Sequence, residues 1–253
     1  MRPAYSFSMV PYTPKLLKGI LGIILLCYIL ELLFMRFSGG ILDTFAFIPQ
    51  KIHSQYYLWT FITYAFLHNP SEPFHLLFNL LMLWWLGAAM FQRWGQKRFL
   101  LFFFCSAFAG ALLTYLVSLS LSVFFPTVGI ISSNTPVIGA SAITTALLVA
   151  FGLTYPEQVI YFFFFPLKCK HLILLVIGYE ILTALAFNAV ASTAHFGGII
   201  FAAIVIYEWY RPKNILYGIK KLFQRMQYLW LKRKLRYLNG LKQEKDISKR
   251  YLH

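Results

Sequence analysis

The chain has 253 residues, of which 59% are hydrophobic, 19% aromatic and only 12% charged; this is far from an average soluble domain and suits a polytopic membrane protein. Its formal net charge of +15 raises nucleic acid as a partner, but the basic residues are distributed as a membrane requires, and no nucleic acid is expected. The three cysteines, Cys27, Cys105 and Cys169, fall in two apolar segments and one basic loop, so they build neither a disulfide framework nor a zinc spacing, and no metal or cofactor is expected.

The expected architecture is an all-α bundle of six membrane spans, made of a cytoplasmic N-terminal segment (residues 1–18), a membrane domain (19–210) and a basic cytoplasmic tail (211–253). The first span covers residues 20–35 and is too long for a signal-peptide core. Residues 39–57 mix apolar side chains with Pro, Gly and polar ones, which predicts a loop lying in the membrane interface and continuing through residues 59–67. The second span runs over residues 75–93 and the third over 99–125, with Arg93, Lys97 and Arg98 as the link. An uncharged loop, 126–136, leads to a short fourth span. Lys168 and Lys170 precede a fifth (172–187), and a short uncharged turn (188–193) leads to a sixth (194–210).

All the Lys and Arg residues except Arg36 and Lys51 fall on one side of this arrangement. By the positive-inside rule both termini are cytoplasmic, and the loops before His75, Ser141 and His195 are outside. The tail holds 13 basic residues against Glu244 and Asp246. Its apolar residues, from Ile215 through Trp230 to Leu238, recur near helical spacing, so an amphipathic helix on anionic lipid stands beside the plainer reading of a solvated tail.

The fourth span, within residues 136–156, is too short for a bilayer core of about 30 Å. With Tyr155 and Pro156 at the interface, the 14 residues back to Ser141 rise about 21 Å and leave its hydroxyl roughly 9 Å inside the opposite boundary. The same 14-residue distance separates His195 from Trp209 and Asn79 from Arg93, and His75 stands one turn above Asn79. Four polar residues from three helices are therefore expected in one layer.

A serine hydroxyl is a weak nucleophile until a base takes its proton, and imidazole is the usual base near neutral pH. His75 and Asn79, at i and i+4 on one helix face, are donors of the kind that stabilise an oxyanion. Small residues at intervals of four, Ala142, Ala146 and Ala150 on the fourth span and Ala194, Gly198 and Ala202 on the sixth, let the two helices pack closely enough for Ser141 to meet His195. A lone Ser in a membrane helix is usually a packing residue, and a lone His or Asn is often interhelical glue; the common depth is what favours function. His53 and His68 read as ordinary interfacial residues and Glu31 and Glu180 as paired or snorkelling rather than catalytic, with a cavity-facing Glu180 as the alternative; no third member for a Ser–His dyad stands out.

His75-Leu-Leu-Phe-Asn79, Gly139-Ala-Ser141 opening a short helix, and Ala194-His195-Phe-Gly-Gly198 together resemble the rhomboid intramembrane serine proteases in their six-helix form. The resemblance implies Ser141 as nucleophile, His195 as general base, and His75 and Asn79 as oxyanion-hole donors. It also implies an outward-opening aqueous cavity gated by the fifth helix and the loop after it, transmembrane proteins as substrates, and no cofactor. The chain departs from the family pattern at Ala142, usually Gly; at Thr145, often aromatic; at Thr60 after Trp59; and at Phe91. Two other classes share these residues: a non-catalytic rhomboid-like binding or trafficking factor, and a transporter using His75 and His195 as a proton relay.

Overall fold

The computed structural model describes residues 12–34, 44–124, 134–162, 165–186, 189–208, 220–221 and 223–234. The expected tail residues Ile215 and Leu238 and the anchor Trp209 lie outside them. Residues up to Ile206 form one compact unit and those from Tyr207 onward a second.

In chain order the first unit contains α1 (Lys15–Phe34), α2 (Pro49–Gln55), α3 (Thr60–Thr63) with a 3₁₀ turn (Tyr64–Phe66), α4 (Pro73–Phe124), α5 (Ser141–Thr154), strands β1 (Val159–Phe162) and β2 (Phe165–Lys168), α6 (Cys169–Ala186) and α7 (Ala189–Ile206). Helices α1 and α4 are long and apolar enough to cross a membrane. Their outward side chains, such as Leu25, Leu33, Leu101 and Phe104, are exposed together with Leu174 and Leu182 of α6. An apolar exterior of this extent suits lipid rather than water.

The 52 residues of α4 would span about 78 Å if straight. They do not, because Gly95 breaks the helix with φ 74° and ψ 170°, values that favour glycine. The chain reverses there: Trp94 stacks on Phe102 at 4.8 Å and Phe91 on Phe99 at 5.4 Å. The expected loop through Arg93, Lys97 and Arg98 is thus a single residue, and all three basic residues are helical. Pro73 starts the first limb, where its missing N–H is no loss. Two further boundaries differ from expectation. Residues 189–193, read as a turn, belong to α7, and the segment before α6 is an antiparallel hairpin pairing Val159 with Lys168 and Ile160 with Leu167. Its unbroken apolar run lacks the alternation that announces a strand.

Helix α5 is the centre of the bundle. All but three of its 14 residues are buried, as expected for a helix apolar on every side. Arg93, at the end of the first limb of α4, stacks on Tyr155 at 5.5 Å just beyond α5. Gln92 donates from Nε2 to the Tyr12 carbonyl at 3.4 Å, bringing the residues before α1 to the same end, and Trp84 Nε1 donates to Thr13 Oγ1 at 2.7 Å. There too, Glu157 accepts hydrogen bonds from Lys168 and Lys170, which hold its carboxyl down at about 2. Lys15, Lys18, Arg93, Lys168 and Lys170 thus gather at one end of the bundle. At the other end Tyr28 donates to the Pro70 carbonyl at 3.3 Å.

In the second unit, residues 223–234 are helical, with Phe223, Met226, Leu229 and Trp230 exposed. Lys232 stacks over Tyr228 and Lys234 over Trp230.

Candidate active site

Helix α5 begins at Ser141, and the residues before it are pinned by backbone hydrogen bonds. Val137 exchanges two backbone hydrogen bonds with Phe47, and Gly139 N–H donates to the Tyr64 carbonyl at 3.0 Å. Tyr64 is itself fixed, its hydroxyl donating to the Ala107 carbonyl at 2.9 Å. Gly139 has φ 117°, and a Cβ there would come within 3.0 Å of His75 Cε1 and 3.7 Å of Ser141 Oγ. Glycine is required for both conformation and space. The same geometry brings the His75 ring and the Ser141 hydroxyl to one side of Gly139, around the space a Cβ would take. Ser141 stands at the first position of α5, where the exposed N–H groups of the helix favour negative charge.

The imidazole Nε2 of His195, on the second turn of α7, is 2.7 Å from Ser141 Oγ. That contact depends on close backbone approach. A Cβ on Gly198 would overlap the Ala142 carbonyl oxygen, and one on Gly197 would overlap the Ala109 carbonyl oxygen. The Ala142 methyl lies against Gly110, where a Cβ would be 2.9 Å away. The family-divergent methyl is therefore housed by a glycine on the second limb of α4. Ala202 is fully buried one turn further along α7. Gly110 was not singled out in the sequence, and Gly197 stood in the quoted motif without a role; the Gly-Gly pair is the available signal for Gly197.

Asn79 is placed differently from the expectation of one common layer. Its Oδ1 accepts from Thr144 Oγ1 at 3.0 Å, one turn into α5, and its Nδ2 is 3.2 Å from His68 Nε2. One of its two amide hydrogens is thereby used and the other remains available. His75, one turn earlier, is the residue of that pair beside Ser141.

His68 corrects the sequence reading most clearly. It is fully buried, not interfacial, and besides Asn79 its Nε2 takes the Ala140 N–H at 3.4 Å. Accepting at Nε2 leaves its proton on Nδ1. Its own backbone N–H donates to Glu31 Oε2 at 3.1 Å, so a buried carboxylate on α1 braces it from behind. His53, by contrast, is exposed. The His68→Ala variant is expected to lose about 2–4 kcal/mol of stability, since it leaves the Ala140 and Asn79 donors unpaired around a cavity. Unfolding titrations in mixed micelles check this.

Glu180 is paired, as expected of a carboxylate within a span, but its partner corrects the expectation that no third member stands beside Ser141 and His195. Its Oε2 lies 2.8 Å from His195 Nδ1, on the ring edge opposite Ser141. Glu180 is 5% exposed. The sequence signal was present, because a carboxylate within an apolar helix is expensive and takes a functional reading by default.

The fold and its centre define a class: an apolar helical bundle that holds a serine–imidazole pair at the start of a buried helix. The Rhomboid domain matches residues 55–211, and the chain belongs to the rhomboid family. Rhomboid family proteins are integral membrane proteins. The chain is 27% identical over 158 residues to the mitochondrial rhomboid protein 1 of Saccharomyces cerevisiae, covering 60% of this chain and 41% of that protein. It is 31% identical over 88 residues to the rhomboid protease GlpG of Serratia proteamaculans, covering 35% of this chain and 31% of that protein. The matched regions thus span less than half the length of either relative.

Proposed function

We propose that the protein is an intramembrane serine endopeptidase that cleaves transmembrane segments of other membrane proteins. The observation that carries this reading is the 2.7 Å contact between Ser141 Oγ and His195 Nε2 at the start of a buried helix. Ser141 Oγ attacks the scissile carbonyl carbon while His195 Nε2 takes its proton. The resulting oxyanion is met by the His75 ring N–H and the remaining Asn79 amide hydrogen, beside the N-terminus of α5. Collapse expels the amine, which carries off the proton from His195 and leaves an ester on Ser141. Water, deprotonated by the same imidazole, then hydrolyses that ester. No metal or cofactor takes part.

The proposed topology has six spans: α1, the two limbs of α4, α5, α6 and α7. Both termini are cytoplasmic and the site opens to the other side. The gathering of Lys15, Lys18, Arg93, Lys168 and Lys170 at the end away from Ser141 supports this orientation. Residues 1–18 and 211–253 are proposed to flank the membrane domain 19–210. The aromatic and basic side chains of residues 223–234 suit an anionic lipid surface.

Incubating the full chain in detergent with a fluorophosphonate probe and mapping the adduct tests the nucleophile. The expected adduct is on Ser141, and it blocks cleavage of a model transmembrane substrate. Failure of Ser141 to react would overturn the protease reading in favour of a non-catalytic binding or trafficking role.

A further inference from the structure

We infer that Glu180 is a positioning residue for His195, holding the imidazole in the tautomer and rotation that present its Nε2 lone pair to Ser141. This rests on the reading of Ser141 and His195 given above and deepens it: the reactive unit draws on three helices, α5, α6 and α7.

The geometry is that of a ring held at both edges. Nε2 is 2.7 Å from Ser141 Oγ and Nδ1 is 2.8 Å from Glu180 Oε2. A carboxylate offers only acceptors, so facing Nδ1 it keeps the single proton of neutral imidazole there and leaves Nε2 as the base. The carboxylate lies off the direction of the ring N–H, so Nδ1 makes no linear hydrogen bond at rest. A small rotation of either side chain supplies one as the ring gains its second proton. The proton moves from Ser141 Oγ to Nε2, Glu180 stays ionised, and its charge offsets the imidazolium.

A second contact fixes the register that makes this pairing. Thr183, one turn beyond Glu180 on α6, shares a 3.1 Å hydrogen bond with Ser192, one turn before His195 on α7. Thr193 ties α7 to Thr114 of α4 at 3.0 Å. Helix α7 is thus keyed at neighbouring residues to both flanking elements, and Glu180 meets His195 in a defined orientation. Burial argues the same way. A carboxylate 5% exposed needs a donor or a cation, and among the described residues the imidazole is its charged or chargeable contact.

The test compares the wild-type full chain with Glu180→Gln and Glu180→Asp in detergent. Three quantities are followed: the rate of fluorophosphonate reaction at Ser141, kcat and KM on a transmembrane substrate, and the thermal midpoint. Glu180→Gln, nearly the same shape, is expected to slow both probe reaction and kcat by about 10–100-fold with KM within about twofold. Glu180→Asp is expected to recover part of that loss. A Gln variant that reacts at the wild-type rate overturns the inference while the protease reading stands. A wild-type chain whose Ser141 neither reacts nor cleaves brings down both. A measurement independent of any variant is the ¹⁵N spectrum of His195 in the wild-type protein: the Nδ1–H tautomer is expected, and the Nε2–H tautomer overturns the inference.

Discussion

The Ser141→Ala variant will cleave a model transmembrane substrate about 10⁴-fold or more slowly than the wild type while remaining folded. The size of the loss follows from the covalent step, because without Oγ no ester forms and the remaining groups can only polarise the carbonyl. The fold is expected to survive because the hydroxyl contributes one hydrogen bond, to His195, worth about 1 kcal/mol. The Cβ stays, α5 keeps its first residue, and the Gly139 and Ala140 contacts that seat the helix are made by backbone. The check is a time course of cleavage run beside a thermal unfolding curve. Residual cleavage above about one part in a hundred with a normal midpoint would remove Ser141 from the chemistry.

Adding one methyl group at Gly198 will also slow the reaction severely, from a position that touches no substrate. In Gly198→Ala the new Cβ overlaps the Ala142 carbonyl oxygen and comes within 3.4 Å of Ala146 Cβ. A backbone carbonyl in a helix cannot rotate away, so α5 and α7 must move apart by roughly an ångström. Overpacking of this kind costs about 1–3 kcal/mol. The greater effect falls on chemistry, because Ser141 and His195 lie within one turn of the overlap and a 2.7 Å contact does not tolerate that displacement. Probe reaction at Ser141 is expected to fall at least about 100-fold. Gly22→Ala on α1 is the matched control, since its Cβ would meet nothing within 4 Å. It should leave activity unchanged, and an equal loss in both variants would refute the packing argument.

Much of the site was legible because helical rise is a constant of the backbone. Counting 14 residues back from Tyr155 and from Arg93 set Ser141 and Asn79 at one depth; the structure does stack Arg93 on Tyr155, but it bonds Asn79 to Thr144, one turn beyond Ser141. Short-range arithmetic of this kind needs no tertiary knowledge. What escaped it were residues whose placement depends on long-range packing. His68 sits in a segment interrupted by Pro70 and Pro73, so no periodicity connects it to His75 or to α5. The direction in which Glu180 points depends on the rotation of α6 about its own axis, and a helix apolar all round carries no marker of that angle. The one-residue connection at Gly95 was hidden because charged neighbours on both sides imitate a loop.

The separation of Ser141 and His195 by 54 residues sets a timetable as well as a geometry. The α4 hairpin, closed by a single residue, pays almost no loop entropy and can form as soon as both limbs exist. Ser141 follows, but its base arrives with α7, the final element of the first unit, and Glu180 arrives only one helix earlier. On the proposed reading, the serine is an ordinary alcohol until α7 has packed against α5. The chain would then acquire reactivity in the same step that completes the packing of its first unit.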